Sequence, residues 1–219
     1  MFGATALKAF VIGAAVTALP LIGSVASAAT VDLTTGGNIT GDGATTGTFS
    51  SGGITGTVAA GCGYAGYDTN CDHVGPFSDP KIQTTLLGTG VSSFLDISNQ
   101  LDTTNNGEFL TFTFDTVVNL LSIDFGAFAG KDAYDLLING VLYASGSSTD
   151  PWVTEIDNVT SFSVAAVGMG KILDPGFTLT SFTAVAVPVA PVPLPAAGLL
   201  MLGGLGALGA AKRRRTQAA

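Results

Sequence analysis

The chain has 219 residues, a formal net charge of −8 and 47% hydrophobic residues. All 16 acids lie between Ala29 and Val187, where Lys81, Lys131 and Lys171 are the only bases, so that segment carries about 13 net negative charges. Such a surface argues against nucleic-acid binding, which needs basic patches, and suits solubility outside the cell and contact with divalent cations.

The first 28 residues read as a secretory signal. Lys8 supplies a small positive region, Ala9 to Gly23 an apolar core broken by Pro20, and Ala26-Ser27-Ala28 a small-x-small cleavage site. The expected route is the Sec translocon followed by signal peptidase, with Ala29 as the first mature residue. About 160 residues then run to Val187, enough for one domain with one core.

Helical periodicity is nearly absent from residues 29–187. Short apolar/polar alternations rich in Thr, Val, Ile and Phe recur between Gly, Asn, Asp and Ser, which is a strand-and-turn pattern. Val31 to Thr34 and Ile54 to Ala60 are early strands. Between them, Thr35 to Gly53 is rich in Gly, Thr and Ser and reads as an edge hairpin or a mobile arm.

Cys62 and Cys71 follow. They are the only two cysteines, both in the exported segment, where an even count favours pairing. The expectation is a disulfide that staples a loop carrying Tyr64 and Tyr67. Zinc is a poor fit, because the C-x8-C spacing and the lone His73 do not make a ligand set.

Acids gather further on. Asp96, Asp102 and Glu108 lie near strand starts, and Asp132 and Asp135 at the mouth of a hairpin. Carboxylates and loop carbonyls of this kind could converge on a Ca²⁺ ion. The alternative is solvated loop acids that cap turns.

Phe109 to Asp115 alternates strictly, with Leu110, Phe112 and Phe114 on one face. A short turn should separate it from Val117 to Phe125, with Leu121, Ile123 and Phe125 facing inward. Asn139-Gly140 between Tyr134–Ile138 and Val141–Ala144 is a strong hairpin signal, since both residues tolerate positive φ. Val159 to Val167 and Phe177 to Val187 complete at least seven strands. The predicted fold is all-β, an antiparallel β-sandwich of jelly-roll-like type, with a closed barrel as the alternative. Trp152, after Pro151, joins Tyr64 and Tyr67 as a candidate sugar platform, because a ring face packs on the apolar face of a pyranose.

Catalytic signatures are missing. A Ser-His-Asp triad needs a histidine base, and His73 is the only histidine. No G-x-S-x-G elbow is present. No local pattern picks out a glycosidase pair from the two glutamates, Glu108 and Glu155. The expected protein is not an enzyme.

The C-terminus has three parts. Residues 188–195 are a Pro-rich linker that opens the motif Val192, Pro193, Leu194, Pro195, Ala196. Residues 196–211 are an apolar run, and 212–219 a tail headed by Lys212, Arg213, Arg214 and Arg215. An apolar run followed by cations is a stop-transfer signal, with the cations left in the cytoplasm. About 16 residues at about 1.5 Å rise give roughly 24 Å, short of the roughly 30 Å hydrocarbon core. That length suits a transient sorting helix.

This tail resembles the PEP-CTERM sorting signal of Gram-negative bacteria, in its VPLPA variant; Pro193-Leu194-Pro195 stands where that family has Pro-Glu-Pro. The resemblance implies an exosortase-type membrane protease as partner. It also implies passage through the inner membrane and a final place at the cell surface or outside the cell. Residues 91–141 resemble the jelly-roll-type extracellular domains that precede such tails and share architecture with carbohydrate-binding modules. Their frequent Asp-Gly-Asn-Asp loop is here Ala129-Gly130-Lys131-Asp132. The expected role is structural, in a biofilm or exopolysaccharide matrix. A calcium-dependent carbohydrate-binding module is the alternative, with polysaccharide as partner.

Overall fold

A computed structural model describes residues 26–63, 79–93, 98–103, 107–167, 176–188, 201 and 203–206. Ten strands account for most of them: β1 (Ala28–Asp32), β2 (Thr46–Ser51), β3 (Ile54–Cys62), β4 (Lys81–Thr85), β5 (Gly88–Ser92), β6 (Glu108–Gly126), β7 (Ala133–Ile138), β8 (Val141–Ser147), β9 (Trp152–Val167) and β10 (Thr178–Ala186). Every pairing is antiparallel. The fold is all-β, as the alternation predicts.

The longest strand organises the rest. β6 pairs with β9 on one edge along most of its 19 residues. On its other edge it pairs first with β3 (Gly56↔Phe114 to Cys62↔Glu108) and then with β10 (Ala186↔Val118 to Thr178↔Gly126). Phe182 of β10 stands opposite Ile123. In a straight strand, Phe112 and Ile123 would be about 36 Å apart at about 3.3 Å per residue. Yet the rings of Phe112 and Phe182 are 5.4 Å apart. β6 therefore folds back on itself, and its halves belong to two facing layers. One layer holds β2, β3, β7, β8, the first half of β6 and the second half of β9. The other holds β1, β10 and the remaining halves, with the β4–β5 hairpin joined to β10 at Leu179↔Thr89.

This corrects the predicted turn after Asp115. The backbone bends without leaving the sheet. Asp115, Thr116 and Val117 are exposed at the bend, and the register with β9 shifts between Thr113 and Val118. A second shift, between Leu120 and Ser122, moves the inward phase. Val118, Leu120, Ile123 and Phe125 are buried, whereas Leu121, expected inside, is only half-buried. Bulges of this kind re-aim side chains and increase local twist. Asn158, at φ 59°, marks the matching irregularity in β9.

The Asn139-Gly140 turn is as expected, with φ of 51° and 77°. The Gly/Thr/Ser-rich segment resolves into an edge hairpin, where β2 pairs with β3 across Gly52-Gly53. β4 and β5 form where the apolar/polar alternation predicts no strand. The signal region 1–25 and the motif Val192–Ala196 lie outside the described residues, as do Lys212 to Arg215. Met201 and residues 203–206 are helical and exposed. Among the described residues, no helix is long and apolar enough to cross a membrane.

Two aromatic clusters fill the space between the layers. Phe49, Phe112, Phe114, Phe162 and Phe182 form one, with Phe112 and Phe162 stacked at 4.7 Å. Phe125, Phe128, Tyr134 and Phe177 form the other. Offset and edge-on ring contacts add to burial energy.

Candidate functional site

The bend in β6 gives the domain two dissimilar poles. At one pole lie the bend and both ends of the domain. β1 starts beside the end of β10, with Ala28 opposite Val185. The Val187 amide then donates to the Val117 carbonyl at 3.0 Å. At the other pole lie both ends of β6, Glu108 and Gly126, with Cys62 opposite Glu108. Leu101 and Phe177 exchange backbone hydrogen bonds there, at 2.6 and 3.0 Å.

Three of the predicted acids meet at this second pole. Glu108 is wholly buried; its carboxylate accepts from the Ser93 hydroxyl at 2.8 Å and from the Asp102 amide at 3.4 Å. The Asp102 carboxylate accepts from Ser98 at 2.8 Å, and its carbonyl from the Glu108 amide at 3.0 Å. Asp132 closes a tight turn, accepting from the Ala129 amide at 2.6 Å while its own amide donates back to the Ala129 carbonyl at 2.8 Å. Asp102, Asp132 and Lys131 line one cleft of about 30 Å³, water-sized and floored by Phe177. Asp135 stands apart, accepting from the Gly146 amide at 2.7 Å where β8 departs from regular register with β7. Asp96 lies outside the described residues. Among the described residues, no group of three or more His, Cys, Asp or Glu is placed to hold a metal.

Cys62 is buried and disulfide-bonded, and Cys71 is the chain's only other cysteine. Cys71, Tyr64 and Tyr67 lie outside the described residues. Trp152 does not present an open ring. It is 6% exposed within the core, and Tyr143 meets it edge-on at 6.2 Å. A sugar platform needs a free aromatic face, and at this place Tyr143 is the exposed ring.

Tyr134 is the buried titratable group whose environment is most telling. Burial pushes its hydroxyl above the ordinary value of 10.0; a hydrogen bond with Ser147 partly opposes this, and the charge of Asp150 adds to it. The hydroxyl donates to the Thr149 carbonyl at 2.9 Å. A raised folded-state value means that the fold favours the neutral phenol. That contribution to stability is complete below pH 10.0 and is lost as pH rises beyond it. Ultraviolet titration should therefore show one tyrosine ionising late and in step with unfolding, and Tyr134→Phe should remove that step.

The strand register aligns a set of hydroxyls that no single segment of the sequence displays. The tripeptides Thr46-Gly47-Thr48, Thr55-Gly56-Thr57 and Thr111-Phe112-Thr113 fall on three adjacent strands. Register aligns Thr48 with Thr57, Thr57 with Thr113, and Thr113 with Ser161. Thr40 extends the row, its hydroxyl 2.8 Å from that of Thr48. Parallel rows flank it: Thr46, Ala59, Thr111 and Ser163 on one side, and Ser50, Thr55 and Asp115 on the other. The signal was the repeated Thr-x-Thr, whose period of two puts both hydroxyls on one face of a strand.

No family model matches the chain, and no curated protein or solved structure does either.

Proposed function

We propose that this chain is an exported, non-catalytic surface or matrix protein, sorted by an exosortase-type protease and structural in an exopolysaccharide matrix. The observation that carries this reading is the C-terminal order of Val192-Pro193-Leu194-Pro195-Ala196, an apolar run and Lys212 to Arg215; the pairing of β1 with β10, which brings the two ends of the domain to one pole, is compatible with it. The apolar N-terminal and C-terminal segments are therefore both attached to the domain at that pole. One membrane can hold both while the whole domain stands outside it. The linker after Val187 is short and proline-rich, so the domain would stay close to the membrane until cleavage.

Intact mass and fractionation of the protein from its own cell test the reading. The mature form should begin at Ala29 and lack everything after about Pro195. Replacing Arg213 to Arg215 with neutral residues should impair retention and cleavage, since the helix loses its stop-transfer cations. A full-length C-terminus held stably in the inner membrane would overturn the proposal.

A second reading is calcium-dependent carbohydrate binding, for which Asp102 and Asp132, lining one cleft at the pole opposite the chain ends, would supply two carboxylates. An ion that binds only the folded state raises the melting temperature by mass action. On this reading calcium raises it, Asp132→Ala abolishes the rise, and Asp32→Ala leaves it intact. Unchanged melting in millimolar calcium and in EDTA removes this reading.

A further inference from the structure

We propose that the threonine-rich outer face of the β2–β3–β6–β9 layer binds an extended, uncharged glycan laid across the strands, without a metal ion. The proposal deepens the matrix role and rests on that reading for its biological setting. The central row, Thr40, Thr48, Thr57, Thr113 and Ser161, crosses five chain segments. Neighbouring strands are about 4.8 Å apart, so the row repeats a hydroxyl at that interval over roughly 19 Å. Thr40, Thr48, Thr57 and Thr113 are all exposed.

The chemistry of the face selects the ligand. A hydroxyl both donates and accepts, so a row of them pairs with a row of sugar hydroxyls in either chain direction. Successive rings of an extended glycan with equatorial linkages advance by a similar interval, so one rung can meet each sugar. Charge on these rows is confined to Asp115 at the rim, where the Thr55 hydroxyl donates to it at 2.6 Å. The exported segment as a whole is strongly acidic. An anionic polymer is repelled by that surroundings, and a neutral one is not. The threonines are β-branched and stiff at χ1, and they stand on a paired sheet, so little freedom is lost on binding. Each hydroxyl contact only exchanges one made to water or, for Thr40 and Thr48, one made to each other, so a polymer that spans the row binds and a monosaccharide does not.

The test is retention of the full chain, purified in detergent, on swollen amorphous cellulose. The expected result is retention that EDTA does not weaken and glucose does not compete. The double variant Thr57→Val, Thr113→Val keeps β-branched shape and strand preference while deleting two central hydroxyls. It should bind at least about tenfold more weakly at an unchanged melting temperature. Equal retention of the variant, retention only on alginate, or slowed ice growth without glycan binding would each overturn the proposal. Fractionation of the unaltered chain in its own cell, beside its retention on cellulose, separates the two ideas. Matrix localisation with failed cellulose retention refutes this face and leaves the matrix role standing. Cellulose retention by a protein that is never exported does the reverse.

Discussion

Truncating Phe182 to alanine is expected to lower the unfolding free energy by about 3–5 kcal/mol. Phe182 is wholly buried, and its ring lies 5.4 Å from Phe49, 5.4 Å from Phe112, 5.7 Å from Phe114 and 5.2 Å from Phe162. It is the one ring that the β10 layer contributes to this cluster. The others come from β2, β6 and β9 in the opposing layer. Removal loses the transfer energy of the ring and leaves a hole between two paired sheets that cannot collapse freely. For a domain of this size the melting temperature should fall by roughly 6–20 °C. Leu86→Ala is the matched control, because Leu86 is 85% exposed at the β4–β5 turn and should shift stability by no more than about 0.5 kcal/mol. A loss below about 1 kcal/mol for Phe182→Ala would contradict the facing of the two layers.

That cluster shows what the sequence reveals and what it conceals. Leu110, Phe112 and Phe114 alternate cleanly with Thr111 and Thr113, and the structure buries the expected three. The same alternation misplaces Leu121, seven residues after Phe114, because a bulge shifts the phase and the sequence of Leu120 and Leu121 alone cannot show which one turns inward. Asp115-Thr116 looked like a turn because polar residues interrupt an apolar run. In the fold they lie at a bend between paired residues, with Phe114 held by β3 before it and Val118 held by β9 and β10 after it. β4 and β5 went unread for a related reason. Lys81 to Ser92 is short, and its exposed Leu86 and Leu87 occupy the turn, where polar residues are the usual signal.

The site was legible in part. Position near strand starts and a hairpin mouth singles out Asp96, Asp102, Glu108, Asp132 and Asp135; the structure brings Asp102 and Asp132 to one cleft and bonds Glu108 to the Asp102 amide. Asp135 looked equivalent because it is only three residues from Asp132. However, it lies within strand β7, where its carboxylate serves the Gly146 amide. Trp152 stood out by residue type, whereas its placement at the start of β9 turns it into the core. The hydroxyl rows were hidden by the opposite bias. Glycine, threonine and serine read as low information one residue at a time, and they acquire meaning only when register sets three strands side by side.

Gly56 is where that register is most exposed to a single change, and Gly56→Ala should be among the most damaging small substitutions in the domain. Gly56 is buried in β3, opposite Phe49 on one side and Phe114 on the other. A β-carbon placed there would land on the Thr113 carbonyl oxygen and within 2.6 Å of Phe49 Cζ. The ring can tilt, but the carbonyl belongs to the β3–β6 ladder and cannot move without parting the strands. Overpacking usually costs about 1–3 kcal/mol, and a backbone obstacle puts this site at or above the upper end. Gly47, one strand away, meets the Thr40 carbonyl in the same manner, so both Thr-Gly-Thr segments need their glycine for close approach of a neighbouring chain. Phe49→Leu should rescue Gly56→Ala only partly, since it relieves the ring and not the carbonyl. Gly130→Ala, where a β-carbon meets nothing within 4 Å, should be close to neutral. Because Thr55 and Thr57 flank Gly56, the alanine variant should also weaken retention on cellulose although every hydroxyl is still present. Thermal melting that leaves Gly56→Ala indistinguishable from Gly130→Ala would show that β3 does not lie against β6 as closely as described.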